Sequence, residues 1–270
     1  MTTCEELLER KYRLLFCLIS NGGYLKMTGR IYIGTSGWHY AHWKGPFYPE
    51  NITAQQMLNF YTRHFRVVEI NNSFYQLPAS ETLDTWRTTV PENFIFAVKA
   101  SRYITHMKKL KDPRETVHKF LHDISTLGNK LGPILFQLPP RWKCNPDRLT
   151  EFLTVLPGGL RYAFEFRDPS WFSDKVYSAL KQANAAFCIY DLDGTLSPVK
   201  VTADFTYIRL HGPEGAYQGC YTQSTLAQWA ETLAAWGDEG KDVFCFFDND
   251  QEGYAVENAQ SLKELLQQGD

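Results

Sequence analysis

From Ile31 onward one unit keeps returning along the chain. A short β-branched or aromatic run ends in polar residues, and a stretch of helical length and period follows it. The strand runs are 31–36, 67–71, 94–100, 134–139, 162–167, 186–191, 207–212 and 243–250, and the helical stretches are 53–64, 80–89, 113–130, 146–155, 174–184, 222–237 and 254–267. Thr53, Ser80, Asp112, Asn145, Ser173 and Thr222 stand where N-caps belong. Only the link 192–205, between the sixth and seventh strands, lacks a helix. Strict strand–helix alternation of this length predicts a parallel sheet closed into one α/β barrel, a TIM-type (β/α)8 fold with one crossover helix missing or reduced.

Side-chain parity within the strands sharpens the prediction, because successive strand residues face opposite ways. Val68 and Ile70 share one face, Glu69 and Asn71 the other. Phe164 and Phe166 likewise oppose Glu165 and Arg167, and Ile208 and Leu210 oppose Arg209 and His211. Lys99 and Gln137 extend the pattern. One face is apolar, as contact with surrounding helices requires. The other turns polar near the strand C-termini, which places a site at the C-terminal mouth of the barrel.

The bulk numbers exclude several classes. At 270 residues, 44% of them hydrophobic, the chain can bury a large single core. No linker or composition break divides it, so 27–270 is expected to be one domain. Residues 1–26 are expected to be a peripheral extension, with Met27 as an alternative natural start. The apolar run Leu14–Ile19 is too short to span a bilayer and no cleavage site follows it, so neither a membrane span nor a signal peptide is expected. A net charge of −2 argues against a general nucleic-acid coat but not against a local basic patch. Cys4, Cys17, Cys144, Cys188, Cys220 and Cys245 show no metal-binding spacing and read as reduced thiols of a cytoplasmic protein. No G-x-G-x-x-G or Walker sequence is present, so neither NAD nor ATP is expected. The oligomeric state is not legible.

Three carboxylates, Glu69, Glu165 and Asp248, come from separated strands toward the predicted mouth. They suit general acid–base work in glycoside cleavage, or the holding of a divalent metal with His211. Internal pairing, as of Glu165 with Arg167 or of Glu69 with Lys99 or Arg209, is the competing reading. If the carboxylates are catalytic, Glu165→Gln should fold and lose turnover. The loop "KASRYITHMKKLKD" puts Arg102 and His106 beside the mouth, where they and Lys99 could grip an anion and Tyr103 could stack on a base. Among the many loop aromatics, Trp38 and Tyr75 lie nearest the strand ends and are the preferred ligand contacts. Asn71, Gln137, Arg167, Asp191, Arg209 and Asn249 complete the candidate binding set. Ser36 sits in "GTSG" without a paired His, a weak nucleophile signal.

Taken in order, "GTSGWHYAHWKGPFYP", "VVEINNSFYQLP", "FAVKASRYITHMKKLKD", "ILFQLPP", "FEFRDPSW", "YIRLHG" and "FFDNDQEGYAVENA" resemble the successive signatures of the YecE-like family, domain of unknown function seventy-two. The resemblance runs from Ile31 to about Leu266. It implies a TIM-type barrel whose motifs gather at one mouth, and it brings no assigned reaction. Two departures stand out: Asp248-Asn249-Asp250 replaces the family's Asn-Asn-Asp, and the loop "DLDGTLSP" is longer than the family's turn.

That loop also spells the D-x-D-G-T-L nucleophile motif of haloacid-dehalogenase-type phosphatases, with Asp191 as nucleophile. Such an enzyme needs a Rossmann-like sheet around the motif. A tight Asp-Gly turn after a buried strand explains the same letters. The leading expectation is therefore an enzyme of hydrolase or lyase type acting on a phosphorylated, nucleotide or sugar ligand. A non-catalytic module binding nucleic acid or protein is the alternative, and the phosphatase ranks last.

Overall fold

A computed structural model describes residues 29–267; the expectation for residues 1–26 lies outside them. The nine strands are β1 Ile31–Thr35, β2 Val67–Ile70, β3 Ile95–Lys99, β4 Leu131–Gln137, β5 Tyr162–Glu165, β6 Ala186–Leu192, β7 Thr195–Leu196, β8 Phe205–Leu210 and β9 Asp242–Phe247. The helices are α1 Ala54–Tyr61, α2 Ser80–Thr89, α3 Pro113–Ile124, α4 Pro146–Thr154, α5 Asp174–Gln182, α6 Gln223–Asp238 and α7 Tyr254–Gln267. Eight strands pair in parallel in the order β1-β9-β8-β6-β5-β4-β3-β2. The ring closes between β1 and β2 by a single parallel bridge, Ser36 to Glu69. This is the α/β barrel that the alternation predicts, nearly closed.

The seam explains one glycine. A Cβ at Gly34 would stand 2.3 Å from the carbonyl oxygen of Val67, so only glycine lets β1 approach β2 there.

Alternation divides the apolar side chains into two bodies. Val67, Ala97, Leu135, Ala163, Ala186, Cys188, Phe205, Tyr207, Phe244 and Phe246 fill the barrel interior. Small residues on β3, β5 and β6 leave room for the rings from β8 and β9. Val68, Ile70, Phe164, Phe166, Ile208 and Leu210 face outward and pack with helix residues such as Phe152, Leu180 and Leu233. The lower barrel is thus a dry plug, and polar side chains occupy only its upper end.

The missing helix is replaced by a hairpin. β6 pairs antiparallel with β7 across Asp193 and Gly194, whose φ values of 53° and 67° are those of a type I′ turn. The chain then runs back along β6, where hydroxyls serve its backbone: Phe187 N donates to Thr202 Oγ1 at 2.7 Å and Tyr190 N to Ser197 Oγ at 2.9 Å. The D-x-D-G-T-L match is therefore a hairpin in a barrel, and the sheet context required by the phosphatase reading is absent.

Two local expectations need correction. Helix 113–130 stops at Ile124, because Gly128 at φ 57° and ψ −133° breaks the run and leaves a 3-10 turn over Ser125–Lys130. Ser80 is the first residue of α2 rather than its cap, and its hydroxyl meets Thr126 Oγ1 at 3.1 Å. Asn145 and Thr222 do cap their helices, accepting from Arg148 N and Thr225 N.

Candidate functional site

The polar upper end of the barrel is organised by one guanidinium. Arg209 comes from β8 and is 1% exposed. Its Nε and Nη2 donate to Glu69 Oε1 at 3.1 and 2.8 Å, Nη1 donates to Glu165 Oε2 at 3.0 Å, and Nη2 also reaches Asp248 Oδ2 at 2.9 Å. The fork of five N–H donors suits such multiple pairing. All three predicted carboxylates therefore meet, as strand parity requires, but around a cation rather than around an open position.

The carboxylates are also held from their other sides. Glu69 accepts from Ser36 Oγ at 2.7 Å and from Tyr207 OH at 2.5 Å. Glu165 accepts from Gln137 Nε2 at 2.7 Å and closely from Arg167 Nε. Burial by itself would raise the Glu165 carboxyl, yet Arg167 and Arg209 outweigh burial and hold it well below the usual carboxylate range. Asp248 is likewise held low, against its own burial, chiefly by Arg209. A carboxylate fixed as an anion cannot serve as a general acid near neutrality. Among the described residues no three His, Cys, Asp or Glu side chains are arranged to hold a metal ion. Asp248 is the most open of the three: its side chain is 12% exposed and its Oδ1 makes no hydrogen bond among the described residues.

His211 is fully buried. Arg167 Nη2 and Arg209 Nη1 donate to its Nε2 at 2.9 and 3.3 Å, which assigns the lone pair to Nε2 and the proton to Nδ1. Nδ1 lies 3.0 Å from Asp248 Oδ2, an ion-pair distance without hydrogen-bond alignment. Burial and then Arg209 lower the His211 pKa despite Asp248, so the ring is neutral, in keeping with two donors facing it.

Lys99 differs from every other charge in the cluster. It ends β3, half-buried, with its ammonium 4.5 Å from the centroid of Phe74 and no carboxylate at ion-pair distance among the described residues. Burial, followed by the nearby Arg209, brings its pKa down to about 8. His106 packs edge-on to the same Phe74 ring at 4.9 Å. Burial, Lys99 and Arg102 bring its pKa down to about 4. It belongs to a π-helical turn over Tyr103–Met107, a form frequent at functional sites. Arg102, at the entrance of that turn, is exposed and unpaired among the described residues.

The remaining expected residues are dispersed. Gln137 and Arg167 belong to the network, and the Arg167 guanidinium lies 4.7 Å from the Tyr190 ring centroid. Trp38 and Asn71 line a separate cavity beside the mouth, while Tyr75 stands 75% exposed on the rim. Asp191 and Asn249 do not join the cluster. β6 puts Ala186 and Cys188 inside and Phe187 and Ile189 outside, so Asp191 has outward parity, and Tyr221 OH donates to it at 3.1 Å. Asn249 is buried and ties Gly219 O to Asn258 Oδ1. The additional carboxylate of the Asp-Asn-Asp run, Asp250, anchors the first loop by accepting from Trp43 Nε1 at 2.6 Å and pairing with His42 at 3.2 Å.

Two contributors escape the sequence reading. Tyr207 shares parity with Arg209 and could have been found by continuing the alternation one step down β8. Tyr217 sits 5.5 Å from the His211 ring, 48% exposed, at φ 67° in a glycine-rich loop. Of the eight non-glycine residues at positive φ among those described, Lys109, Leu110, Asp112, Arg141, Asp193, Tyr217 and Glu252 lie in loops that follow strand C-termini, and only Asn184 lies at the other end. Backbone strain of this kind concentrates at functional surfaces.

Comparison with known proteins agrees with the fold and adds a lineage. The chain is 29% identical over 269 residues to the UPF0759 protein YunF of Bacillus subtilis, covering 87% of this chain and 94% of that one. It is 33% identical over 144 residues to the UPF0759 protein YecE of Escherichia coli K12, covering 53% of this chain and half of that relative. The crystal structure of a DUF72 family protein from Thermotoga maritima superposes with a TM-score of 0.80 at 30% identity, over 88% of this chain and 99% of that one. A second DUF72 family structure, from Enterococcus faecalis, has a TM-score of 0.73 at 22% identity and supports the fold alone. The family model described as protein of unknown function DUF72 matches residues 32–270, and the chain belongs to that family.

Proposed function

We propose that the protein is an enzyme whose barrel mouth takes a small, polar, anionic ligand (phosphorylated, nucleotide or sugar), with Lys99 as the group that moves a proton. The observation that carries this reading is the state of Lys99: an amine with no carboxylate at ion-pair distance among the described residues, with its pKa brought down to about 8, beside carboxylates that are paired with Arg209 and Arg167 instead. Lys99 and Arg102, which stand outside those ion pairs among the described residues, are the positive groups that an anion at the rim would meet. A group that titrates near neutrality is suited to proton transfer, and Lys99 fits that condition better than Glu165 or Asp248. In this scheme the three carboxylates, Arg209 and His211 form a fixed electrostatic frame. Asp248 Oδ1 is the one frame oxygen left open to a substrate hydroxyl. No dinucleotide or ATP is invoked, and a divalent metal would have to find donors beyond those that Arg209 occupies.

The test is a panel of sugar phosphates and nucleoside monophosphates, with inorganic phosphate as reference, scored for binding by calorimetry and for conversion by phosphorus and proton NMR. The reading expects wild-type protein to bind phosphate and convert at least one panel member, with both properties lost in Lys99→Met. Undiminished phosphate binding in Lys99→Met would refute it.

A second reading has its own observation. Tyr75, Tyr103 and Met107 are 75%, 44% and 67% exposed beside Arg102, Lys108 and Lys109, a basic and aromatic rim suited to single-stranded nucleic acid. It expects binding of a fluorescent oligonucleotide that weakens steeply with salt and with Arg102→Gln; an affinity independent of salt would remove it. No described helix is long and apolar enough to cross a membrane. Among the described residues Cys144, Cys188, Cys220 and Cys245 form no disulfide with one another, which is compatible with a reducing, cytoplasmic setting.

A further inference from the structure

The loop that follows β8 is tied down at both ends and carries one strained aromatic. Gly212 stands at φ 116°, and a Cβ there would lie 2.1 Å from Gln218 O, so the chain doubles back on itself immediately after His211. Gly212 N donates to Tyr221 OH at 3.0 Å, Tyr221 N to Asn258 Oδ1 at 3.0 Å, and Asn249 Nδ2 to Gly219 O at 2.9 Å. Within this frame Tyr217 N donates to His211 O at 2.6 Å, and Tyr217 takes φ 67°, a conformation that only glycine adopts freely. That backbone holds the Tyr217 ring edge-on to His211 at 5.5 Å, half-exposed at the mouth. Its hydroxyl makes no hydrogen bond among the described residues. Asp248, Arg167, Arg209 and Glu165 all act on it electrostatically, Asp248 most strongly, so it overlooks the charge network. Burial and then Asp248 raise the phenol pKa, and the hydroxyl is a donor at neutral pH.

Asp248 follows the neighbouring strand β9. Its Oδ2 is taken by Arg209, whereas Oδ1 has no partner among the described residues and is not shut off from solvent. Lys99 lies across the mouth from this pair, because three strands separate β3 from β8 in either direction around the ring. An ionised carboxylate oxygen only accepts, and a phenol donates or accepts, so together they match alcohol groups, which do both. A heterocycle on the same floor would instead lay apolar surface over paired charges. We propose that the ligand end opposite the anion is a polyol, read by Tyr217 OH and Asp248 Oδ1, so that the substrate class is a sugar or polyol phosphate rather than a nucleotide. The Lys99 end of this assignment rests on the anion-binding reading above; the hydroxyl end does not.

Four probes separate the two ends: ribitol, ribitol 5-phosphate, n-pentyl phosphate (the same chain without hydroxyls) and adenosine monophosphate. Calorimetry reads the phosphates, and ligand-observed NMR reads the weaker ribitol. Ribitol 5-phosphate should bind roughly tenfold or more tightly than pentyl phosphate, the size of two hydrogen bonds, and more tightly than adenosine monophosphate. Tyr217→Phe removes a hydroxyl with no hydrogen bond among the described residues and should unfold at the wild-type urea midpoint. It should weaken ribitol 5-phosphate roughly fivefold, the size of one hydrogen bond, and leave pentyl phosphate unchanged. Tyr217→Gly suits φ 67°, should unfold at higher urea than Tyr217→Ala, and should lose the same preference. Equal binding of ribitol 5-phosphate and pentyl phosphate, an unchanged preference in Tyr217→Phe, or tighter binding of adenosine monophosphate overturns the inference and leaves the anion reading standing. Tyr217-dependent binding of ribitol with no gain from its phosphate upholds the hydroxyl end and defeats the anion reading. No saturable binding of any probe overturns both.

Discussion

Glu165→Gln is the substitution that most sharply separates a catalytic carboxylate from a structural one. Glu165 is 0% exposed, and its two oxygens receive Arg209 Nη1 at 3.0 Å, Gln137 Nε2 at 2.7 Å and Arg167 Nε. Glutamine retains the shape but removes the charge and turns one acceptor into a donor, which then faces a guanidinium or an amide. Arg209 keeps Glu69 and Asp248, whereas Arg167 loses the only carboxylate it pairs with among the described residues. Breaking a buried ion pair from one side costs about 3–5 kcal/mol, since the remaining charge stays desolvated. In a domain of this size that is a fall in Tm of roughly 6–20 °C. The sequence alone leads one to expect that Glu165→Gln folds nearly intact; its burial predicts a measurable loss of stability instead. Urea unfolding followed by far-UV circular dichroism reads the change as a shift of midpoint at constant slope. A variant within about 1 kcal/mol of wild type would show that the network does not carry buried charge, and the frame assigned to it would fall.

Two further outcomes follow from the same geometry. Glu165 and Asp248 both titrate below their unfolded values, so their contribution to stability is complete above about pH 5 and is lost as pH falls through the lowered values. Urea midpoints measured from pH 7 to pH 3 should therefore drop more steeply in wild type than in Glu165→Gln, and parallel profiles would contradict the lowered carboxylates. At the seam, Gly34→Ala puts a methyl group 2.3 Å from Val67 O and should cost about 3 kcal/mol, visible as a lower urea midpoint; a loss under about 1 kcal/mol would mean that β1 and β2 are not closed as described.

The architecture was legible because its signal is repeated: the strand–helix unit returns eight times and the strand parity recurs on several of them, so a local error cannot overturn the sum. That parity also brought Glu69, Glu165, Arg209 and His211 to one end. It could not say which charge would occupy the centre, because side-chain reach from opposite walls is a property of the closed ring. Arg209, expected as a binder, proved to be the hub, and the expected acids proved to be its counter-ions. Asp191 misled for a different reason. One step along β6 reverses the face, and Asp191 lies on the odd positions with Phe187 and Ile189. Asn249 was placed at the mouth by its neighbours, whereas its amide nitrogen is spent on holding Gly219 O and Asn258 Oδ1. Tyr217 was out of reach because its position depends on a backbone at φ 67°, which no periodicity announces.

Direct titration of the Lys99 ε-amine tests the central claim, that Arg209 and its counter-ions leave Lys99, among the described residues, as a titratable cation at the mouth without a carboxylate partner. Reductive ¹³C-methylation followed by NMR, with Lys99→Met to assign the resonance, should give a midpoint of about 8 that rises when inorganic phosphate is added. A midpoint near the ordinary lysine value of about 10.4, unmoved by phosphate, would contradict it.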